Sequence, residues 1–186
     1  MALISYRTFS DVNDPVIQYC LLGSFAVMFA LSASEKFSDR SAFRAQLSHY
    51  RLLPEALVGP AAIMVPLLEI TTATLLLTAA YRYGVYGGLA LLSGYTAAIG
   101  INLLRGRTHI DCGCLGSQKE GISSFHVLRN LIMVLMLASC LLSPTARSLM
   151  WLDYFVIAAF LAAAMLIFST LSHLLASHMD QRNWWS

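Results

Sequence analysis

The chain has 186 residues, of which 58% are hydrophobic and only 12% are charged, and its formal net charge is +2. Soluble domains carry about 25% charged residues, so this composition, with a mean hydropathy of +0.66, excludes an ordinary soluble protein and predicts an integral membrane protein. The small net charge and the lack of a basic run exclude a nucleic-acid-binding protein. The length predicts a single transmembrane domain over residues 1–186.

Five apolar stretches follow one another, each close to the ~20 residues that a helix needs to cross a bilayer. The predicted spans lie at about 16–34, 57–80, 84–104, 125–142 and 152–176. Between the first two, Phe43, Leu47 and Tyr50 recur at helical spacing opposite a set of arginines. That pattern predicts an amphipathic helix in the membrane interface, with a solvated connector as the alternative. The predicted fold is all-α: a four-helix bundle, this interfacial helix between helices 1 and 2, and a fifth C-terminal transmembrane helix.

The connection to the third span and its first turns contain aromatic and small residues. Tyr81-Arg82-Tyr83 predicts a tight turn with aromatic side chains in the interface. Gly84 and Gly88 follow at the spacing that lets two membrane helices approach closely. We expect these glycines to serve packing rather than chemistry.

Two predicted spans contain polar residues that could act inside the bundle. Glu69 lies in the second span shortly after Pro66, and Arg129 and Asn130 open the fourth. An ionisable residue at membrane depth is costly and is a functional candidate, so we expect Glu69 and Arg129 to pair, either around a site or as a structural contact. Lys36, at the end of the first span, is a further supporting candidate, although lysines there are most often snorkelling anchors.

The loop before the fourth span contains Cys112-Gly113-Cys114. Two cysteines in one turn fall within the Cα separation that a disulfide requires, and strained, accessible disulfides are the ones that exchange. A redox-active pair is therefore the leading prediction. His109 is placed to support a thiolate, whereas the neighbouring carboxylate of Asp111 disfavours the thiolate by raising the thiol pKa. Two alternatives stay open: an inert structural pair, and a metal site completed by His109 and a second histidine.

The remaining cysteines, Cys20 and Cys140, are predicted to lie at the opposite end of their helices from this loop. The separation is roughly 20 Å from helix rise. Neither is therefore expected to exchange with the Cys112/Cys114 pair.

Taken together, these motifs resemble the methylamine utilisation protein MauE family, within the broader DoxX-like membrane proteins. The resemblance covers about residues 15–142, with Leu115 standing where the family usually has phenylalanine. The matching segments are Glu35-Lys36, Arg51-Leu52-Leu53-Pro54, Pro66-Leu67-Leu68-Glu69, Cys112-Gly113-Cys114-Leu115-Gly116 and Arg129-Asn130.

The resemblance implies a membrane thiol–disulfide oxidoreductase that supports disulfide formation during maturation of methylamine dehydrogenase. The partners it implies are MauD, a membrane-anchored thioredoxin-like protein, and the precursor of the small subunit, which carries the tryptophan tryptophylquinone cofactor. An architecture similar to the vitamin K epoxide reductase and DsbB type of oxidoreductase adds a quinone as a candidate cofactor. A non-catalytic scaffold that recruits MauD and the precursor is the alternative, and a small transporter built around Glu69 is a third.

The resemblance also implies the bacterial inner membrane, with the Cys112/Cys114 loop facing the periplasm. The charge pattern favours the other orientation. The side that holds this loop also holds most of the cations, including Lys36, Arg40, Arg44 and Arg105, and the positive-inside rule would place that side in the cytoplasm.

Overall fold

The structure, a computed structural model, describes residues 14–106, 124–142, 149–163 and 166, with side chains from His126 onward in the second range. The chain divides into two compact units, one of Leu21–Ser143 and one of Met1–Cys20 together with Pro144–Ser186. All regular secondary structure in the described ranges is helical.

Six helices account for most of the described residues. In chain order they are α1 (Pro15–Ser38), α2 (Arg40–Tyr50), α3 (Glu55–Leu76), α4 (Tyr81–Leu104), α5 (Ser124–Ser139) and α6 (Trp151–Ala163). Among them α1, α3 and α4, with 24, 22 and 24 residues, are long and apolar enough to cross a membrane. This agrees with the predicted all-helical membrane protein. Helices α5 and α6 are apolar but shorter, and residues 167–176 of the predicted fifth span lie outside the described residues.

The connection between α3 and α4 differs from its prediction. The tight turn expected at Tyr81-Arg82-Tyr83 instead forms the first turn of α4, and the chain turns at residues 77–80. At this turn the hydroxyl and the backbone N–H of Thr78 both donate to the carbonyl oxygen of Leu75, at 2.9 and 3.1 Å. The backbone N–H groups that follow α3 therefore bond three positions back rather than four, and the helix ends before the predicted boundary near residue 80.

Helix α2 confirms the predicted amphipathic segment. It begins after Asp39, whose carboxylate accepts from the backbone N–H of Ala42 at 2.9 Å and so caps the helix. It ends at Arg51, whose left-handed backbone has a φ of 47°. Phe43 and Tyr50 are buried on one face, whereas the arginines of the segment are exposed.

An apolar core joins the helices of the unit Leu21–Ser143. Its buried members come from α1, α3, α4, α5 and the residue just after α5: Leu22, Phe25, Ala26, Phe29, Ala73, Leu76, Val85, Leu92, Leu137 and Cys140. Glycine allows the close approach predicted from the sequence. A Cβ at Gly88 would lie 2.7 Å from Cδ2 of Leu137 and 3.1 Å from Cε2 of Phe29, and one at Gly84 would lie 2.7 Å from the backbone nitrogen of Leu76.

In the unit that contains both chain ends, acidic side chains cap the two described helical segments. Asp14 accepts from the backbone N–H of Val16 at 2.9 Å. Asp153 accepts from that of Met150 at 2.8 Å, ahead of α6. These contacts satisfy N–H groups that a helix leaves without an internal partner.

Candidate functional site

A buried ion pair joins α1 and α3. Nζ of Lys36 lies 2.5 Å from Oε1 of Glu69, and the two side chains are 6% and 0% exposed. A charge in a low-dielectric interior must be compensated by a partner and by hydrogen bonds. The sequence supplies the partner charge on Glu69 and a hydrogen-bonding hydroxyl on Ser32. Ser32 lies one turn before Lys36 on the same face of α1.

Three donors converge on a single oxygen of Glu69. Oε1 accepts from Lys36, from the hydroxyl of Ser32 at 3.0 Å and from the hydroxyl of Tyr95 at 2.6 Å. Lys36 also donates to Oγ of Ser32 at 2.7 Å, so two of the three N–H groups of its ammonium are used. Its Nζ lies 5.4 Å from the ring centre of Phe43 and 5.2 Å from that of Tyr95. Both rings are within cation–π range.

The structure corrects the predicted partner of Glu69. It pairs with Lys36 rather than with Arg129, whose Nη2 donates instead to Oδ1 of Asn130 at 3.5 Å. The physical reason is that Lys36 lies on the inward face of α1 and is covered by Phe43 of α2, so its side chain turns into the interior of the unit Leu21–Ser143. The ordinary interpretation of Lys36 as a snorkelling anchor is therefore wrong.

Sequence reasoning missed Ser32, Tyr95 and Asn102 as members of the polar interior. A signal for each was present. Ser32 lies one turn before Lys36, and Tyr95 and Asn102 follow Gly88 by two and four turns on the packing face of α4.

Some buried polar atoms have no hydrogen-bond partner in the part of the chain that the structure describes. They are Oε2 of Glu69, Oδ1 of Asn102, Nε of Arg129 and Nδ2 of Asn130. Asn102 and Asn130 are 0% and 1% exposed. Buried polar groups usually find a protein or water partner, so these four atoms mark a polar interior that the described protein contacts do not satisfy.

A cavity of about 330 Å³ lies beside the ion pair. Its walls come from α1, α2, α3, α4 and the segment after α2, and are mostly apolar, with Leu47, Tyr50 and Ile99 among them. Lys36 and Tyr95 contribute polar groups to its lining. The cavity therefore combines an apolar interior with a cationic donor, a combination typical of small-molecule sites.

The predicted redox pair, Cys112 and Cys114, lies outside the described residues, as does His109. The structure fixes where that segment begins and ends: α4 ends at Leu104 and α5 begins at Ser124. Of the other cysteines, Cys140 is buried in the apolar core at the far end of α5, as predicted.

Comparison with known proteins gives consistent matches. Residues 14–143, which include Lys36, Glu69, the Cys-Gly-Cys segment and Arg129, match the family described as methylamine utilisation protein MauE. The methylamine utilization protein MauE of Methylophilus methylotrophus is 38% identical over 125 residues, covering 66% of this chain and 66% of that protein. The protein of the same name from Paracoccus versutus is 34% identical over 139 residues, covering 73% of this chain and 75% of that protein. The one from Paracoccus denitrificans is 33% identical over 122 residues, covering 64% of this chain and 66% of that protein. No solved structure matches the chain.

Proposed function

The chain belongs to the methylamine utilisation protein MauE family, and from this we propose that it is a membrane thiol–disulfide oxidoreductase acting in the maturation of methylamine dehydrogenase. The observation that carries the proposal is the Cys112-Gly113-Cys114 motif inside the family match, on the connection between α4 and α5. Methylamine utilisation is what the relatives' names state. The redox chemistry and the partner are our inference from the motif.

The proposed partner is MauD, a thioredoxin-like protein that carries a disulfide. The thiolate of one cysteine attacks this disulfide, so a mixed S–S bond forms, the partner's S–S bond breaks, and the electron pair leaves on the partner's sulfur, which takes a proton. The second cysteine, as its thiolate, attacks the mixed disulfide, closes the Cys112–Cys114 bond and releases the partner as a dithiol. Two electrons pass to the partner, and the two protons lost by the cysteines balance the two gained there. The same steps in reverse oxidise the partner.

Local charge supports thiolate chemistry on this connection. The connection enters the N-terminus of α5, where the helix dipole favours negative charge, and Arg129 lies in the second turn of that helix. Arg105 stands at the other end, directly after α4. Where a cysteine lies near such cations or a helix N-terminus, its pKa falls and its thiolate fraction rises.

We place the Cys112/Cys114 loop on the periplasmic side of the bacterial inner membrane, where disulfides persist. One of the cations that argued for the opposite orientation is not a loop cation. Lys36 is buried and paired with Glu69 inside the protein, whereas the positive-inside rule counts the lysines and arginines of the loops.

A quinone is the cofactor that the wider architecture suggests, and the residues present fit one. The cavity of about 330 Å³ offers apolar walls for a ring, and the remaining N–H of Lys36 offers a donor for a carbonyl oxygen. Tyr50 and Ile99 would contact the ring, and Lys36 would orient it. A bound quinone would supply a two-electron acceptor.

The test is the trapping of the thiols in intact cells with a membrane-impermeant maleimide, with and without the partner. We expect Cys112 and Cys114 to react from outside, with a redox state that shifts when MauD is deleted. Cys112→Ser or Cys114→Ser is expected to accumulate a mixed disulfide with the partner. If both serine variants still support methylamine dehydrogenase maturation and no mixed disulfide forms, the chain is a scaffold rather than a catalyst.

A further inference from the structure

The interior of the unit Leu21–Ser143 changes character along its helices. Phe29, Gly88 and Leu137 meet in the apolar core. The charged and amide side chains that are buried in the described residues all lie on one side of this contact: Lys36, Glu69, Asn102 and Asn130. That side is the end where α4 stops and α5 starts.

Counting residues along each helix places three polar residues at the same level, that is, at the same height along the helix axes. Lys36 follows Phe29 by two turns, Tyr95 follows Gly88 by two turns, and Asn130 precedes Leu137 by two turns. Each therefore lies about 10.5 Å from the glycine contact along its own helix. The 5.2 Å between Nζ of Lys36 and the ring centre of Tyr95 agrees with this level for α1 and α4.

The same argument holds for α5. Val127 packs on the cluster of Ile99 and Tyr50, whereas Leu137 meets Gly88. Residue numbers therefore rise along α4 as they fall along α5, and the two helices are antiparallel. Asn130, on the same face of α5 as Leu137, faces the level of Lys36 and Tyr95.

The four unpartnered atoms lie in sequence along this polar half. A Cβ at Gly87 would lie 2.9 Å from Oγ1 of Thr72, so these two residues are at the same height along the helix axes. Glu69 comes three residues before Thr72 in α3 and is therefore at the height of about residue 90 of α4. Asn130 and Arg129 come next, and Asn102 is last, about 18 Å beyond Glu69 along the axis. Two of the atoms, on Glu69 and Asn102, are acceptors, and two, on Asn130 and Arg129, are donors.

Leaving such atoms without partners inside a membrane is strongly unfavourable, because no bulk water reaches them there. Water is the one small partner that both donates and accepts, and ordered water is the usual solution for buried polar groups. Along the axis Glu69 lies about 7.5 Å from Asn130, and Arg129, next to Asn130, lies about 9 Å from Asn102. Two or three waters at hydrogen-bond distance span each of these two gaps.

We propose that a file of buried water runs from the Glu69 carboxylate past Asn130 and Arg129 to Asn102. This file exchanges protons between the Lys36–Glu69 pair and the end of the unit where α4 stops and α5 starts. Each proton that enters at that end displaces one along the file to Oε2 of Glu69, and the reverse returns it, so no redox partner is needed. Ionisable groups inside a membrane commonly mark relays of this kind. The proposal goes beyond the thiol chemistry and does not require it. The path ends where the Cys112/Cys114 segment leaves the bundle, where an exchange reaction must remove and return protons.

Water-edited solid-state NMR of the ¹⁵N-labelled full chain in liposomes tests the file directly. We expect water magnetisation to reach Nδ2 of Asn102 and Asn130 and Nζ of Lys36 at a rate within about twofold of that at helix-end amides, as for bound water. The backbone amides of Val85 and Leu137, both 0% exposed in the apolar core, are the dry controls. If the asparagine side chains are as slow as these two residues, the interior is dry and the proposal is wrong.

Blocking variants test whether the wet positions form one path. Asn102→Leu closes the outer end and should slow transfer to Nδ2 of Asn130 several-fold. Nδ2 of Asn130 is the readout because Lys36 also lines the cavity, which offers water a second route to its Nζ. Thr96→Val is the matched control, because among the described contacts the Thr96 hydroxyl bonds to a carbonyl of its own helix. Should Asn102→Leu fail to fold, Arg129→Leu interrupts the same stretch and is expected to slow Asn130 while leaving Asn102 unchanged. Unchanged transfer to Asn130 in the blocked protein would leave isolated waters rather than a path. Because no thiol is read out, this result is independent of the outcome of the maleimide experiment.

Discussion

Removing Lys36 is the sharpest test of the buried ion pair. Lys36→Met keeps the apolar stem but removes the one ion-pair partner that Glu69, 0% exposed, has among the described residues. The Ser32 and Tyr95 hydroxyls still donate to Oε1, yet they cannot balance a full charge. Removing one partner of a buried pair costs about 3–5 kcal/mol. That loss corresponds to an unfolding constant larger by roughly a hundred- to a few thousand-fold.

A double-mutant cycle separates the pair from general damage. Glu69→Leu alone leaves the Lys36 ammonium with Ser32 and two aromatic rings, so it should also destabilise the fold. The double variant Lys36→Met/Glu69→Leu buries no charge at either position, and replacing both partners by apolar groups is often neutral or stabilising. We therefore expect the double variant to be more stable than either single one, with a coupling of at least about 2 kcal/mol.

The measurement is the free energy of unfolding in mixed detergent micelles, followed by far-UV circular dichroism. Arg44→Met is the matched control, since this α2 cation is exposed and its loss should cost no more than about 0.5 kcal/mol. Additive costs for Lys36→Met and Glu69→Leu, or a cost for Lys36→Met no larger than that control, would refute the buried pair.

The other predictions concern packing, the Glu69 network and the start of α2. Gly88→Ala should destabilise the fold by about 1–3 kcal/mol, because its Cβ would lie 2.7 Å from Leu137, whereas Gly94→Ala, with nothing within 4 Å, should be neutral or stabilising by up to about 1 kcal/mol. The same unfolding assay measures both. Tyr95→Phe keeps the ring over Lys36 but removes a hydrogen bond to a charged group, and should cost about 1.5–3 kcal/mol. The backbone N–H of Ala42 and the hydroxyl of Ser41 lower the pKa of Asp39, so its stabilisation is present above the ordinary aspartate pKa of about 3.9 and is lost as pH falls through the lower folded value. Asp39→Asn should keep the cap and remove this acid-side loss in a pH titration of unfolding, and an unchanged titration would contradict the assignment.

The helices could be predicted because apolar periodicity and length are local properties of the sequence. The spans over α1 and α4, and the amphipathic α2, follow from them. The end of α3 at Leu76 could not be predicted in the same way, because the apolar run continues past it to Ala80. Threonine gives no signal either: the hydroxyls of Thr71 and Thr74 bond to backbone carbonyls within α3, and that of Thr78 does so in the turn after it.

The partner of Glu69 could not be predicted because two cations were compatible with the sequence. Counting helix rise puts both Arg129 and Lys36 on the loop side of Glu69, and it does not give the rotation of each helix about its axis. The contact of Gly88 with Phe29 and Leu137 fixes that rotation. Once Phe29 faces the core, Ser32 and Lys36 face it too, and the choice between a surface anchor and a buried partner is decided.

Helix α2 explains why a lysine near the end of α1 stays inside. A lysine at such a position usually extends along the helix and places its ammonium in the interface. Here the Asp39 cap starts α2 immediately after α1, which brings Phe43 over Lys36 at 5.4 Å and closes the route to the interface. Glu69 then offers the nearest compensating charge, at a depth where neither ion could remain alone. The short amphipathic helix α2 thus holds the Lys36–Glu69 pair inside the unit Leu21–Ser143, on the side where α4 stops and α5 starts.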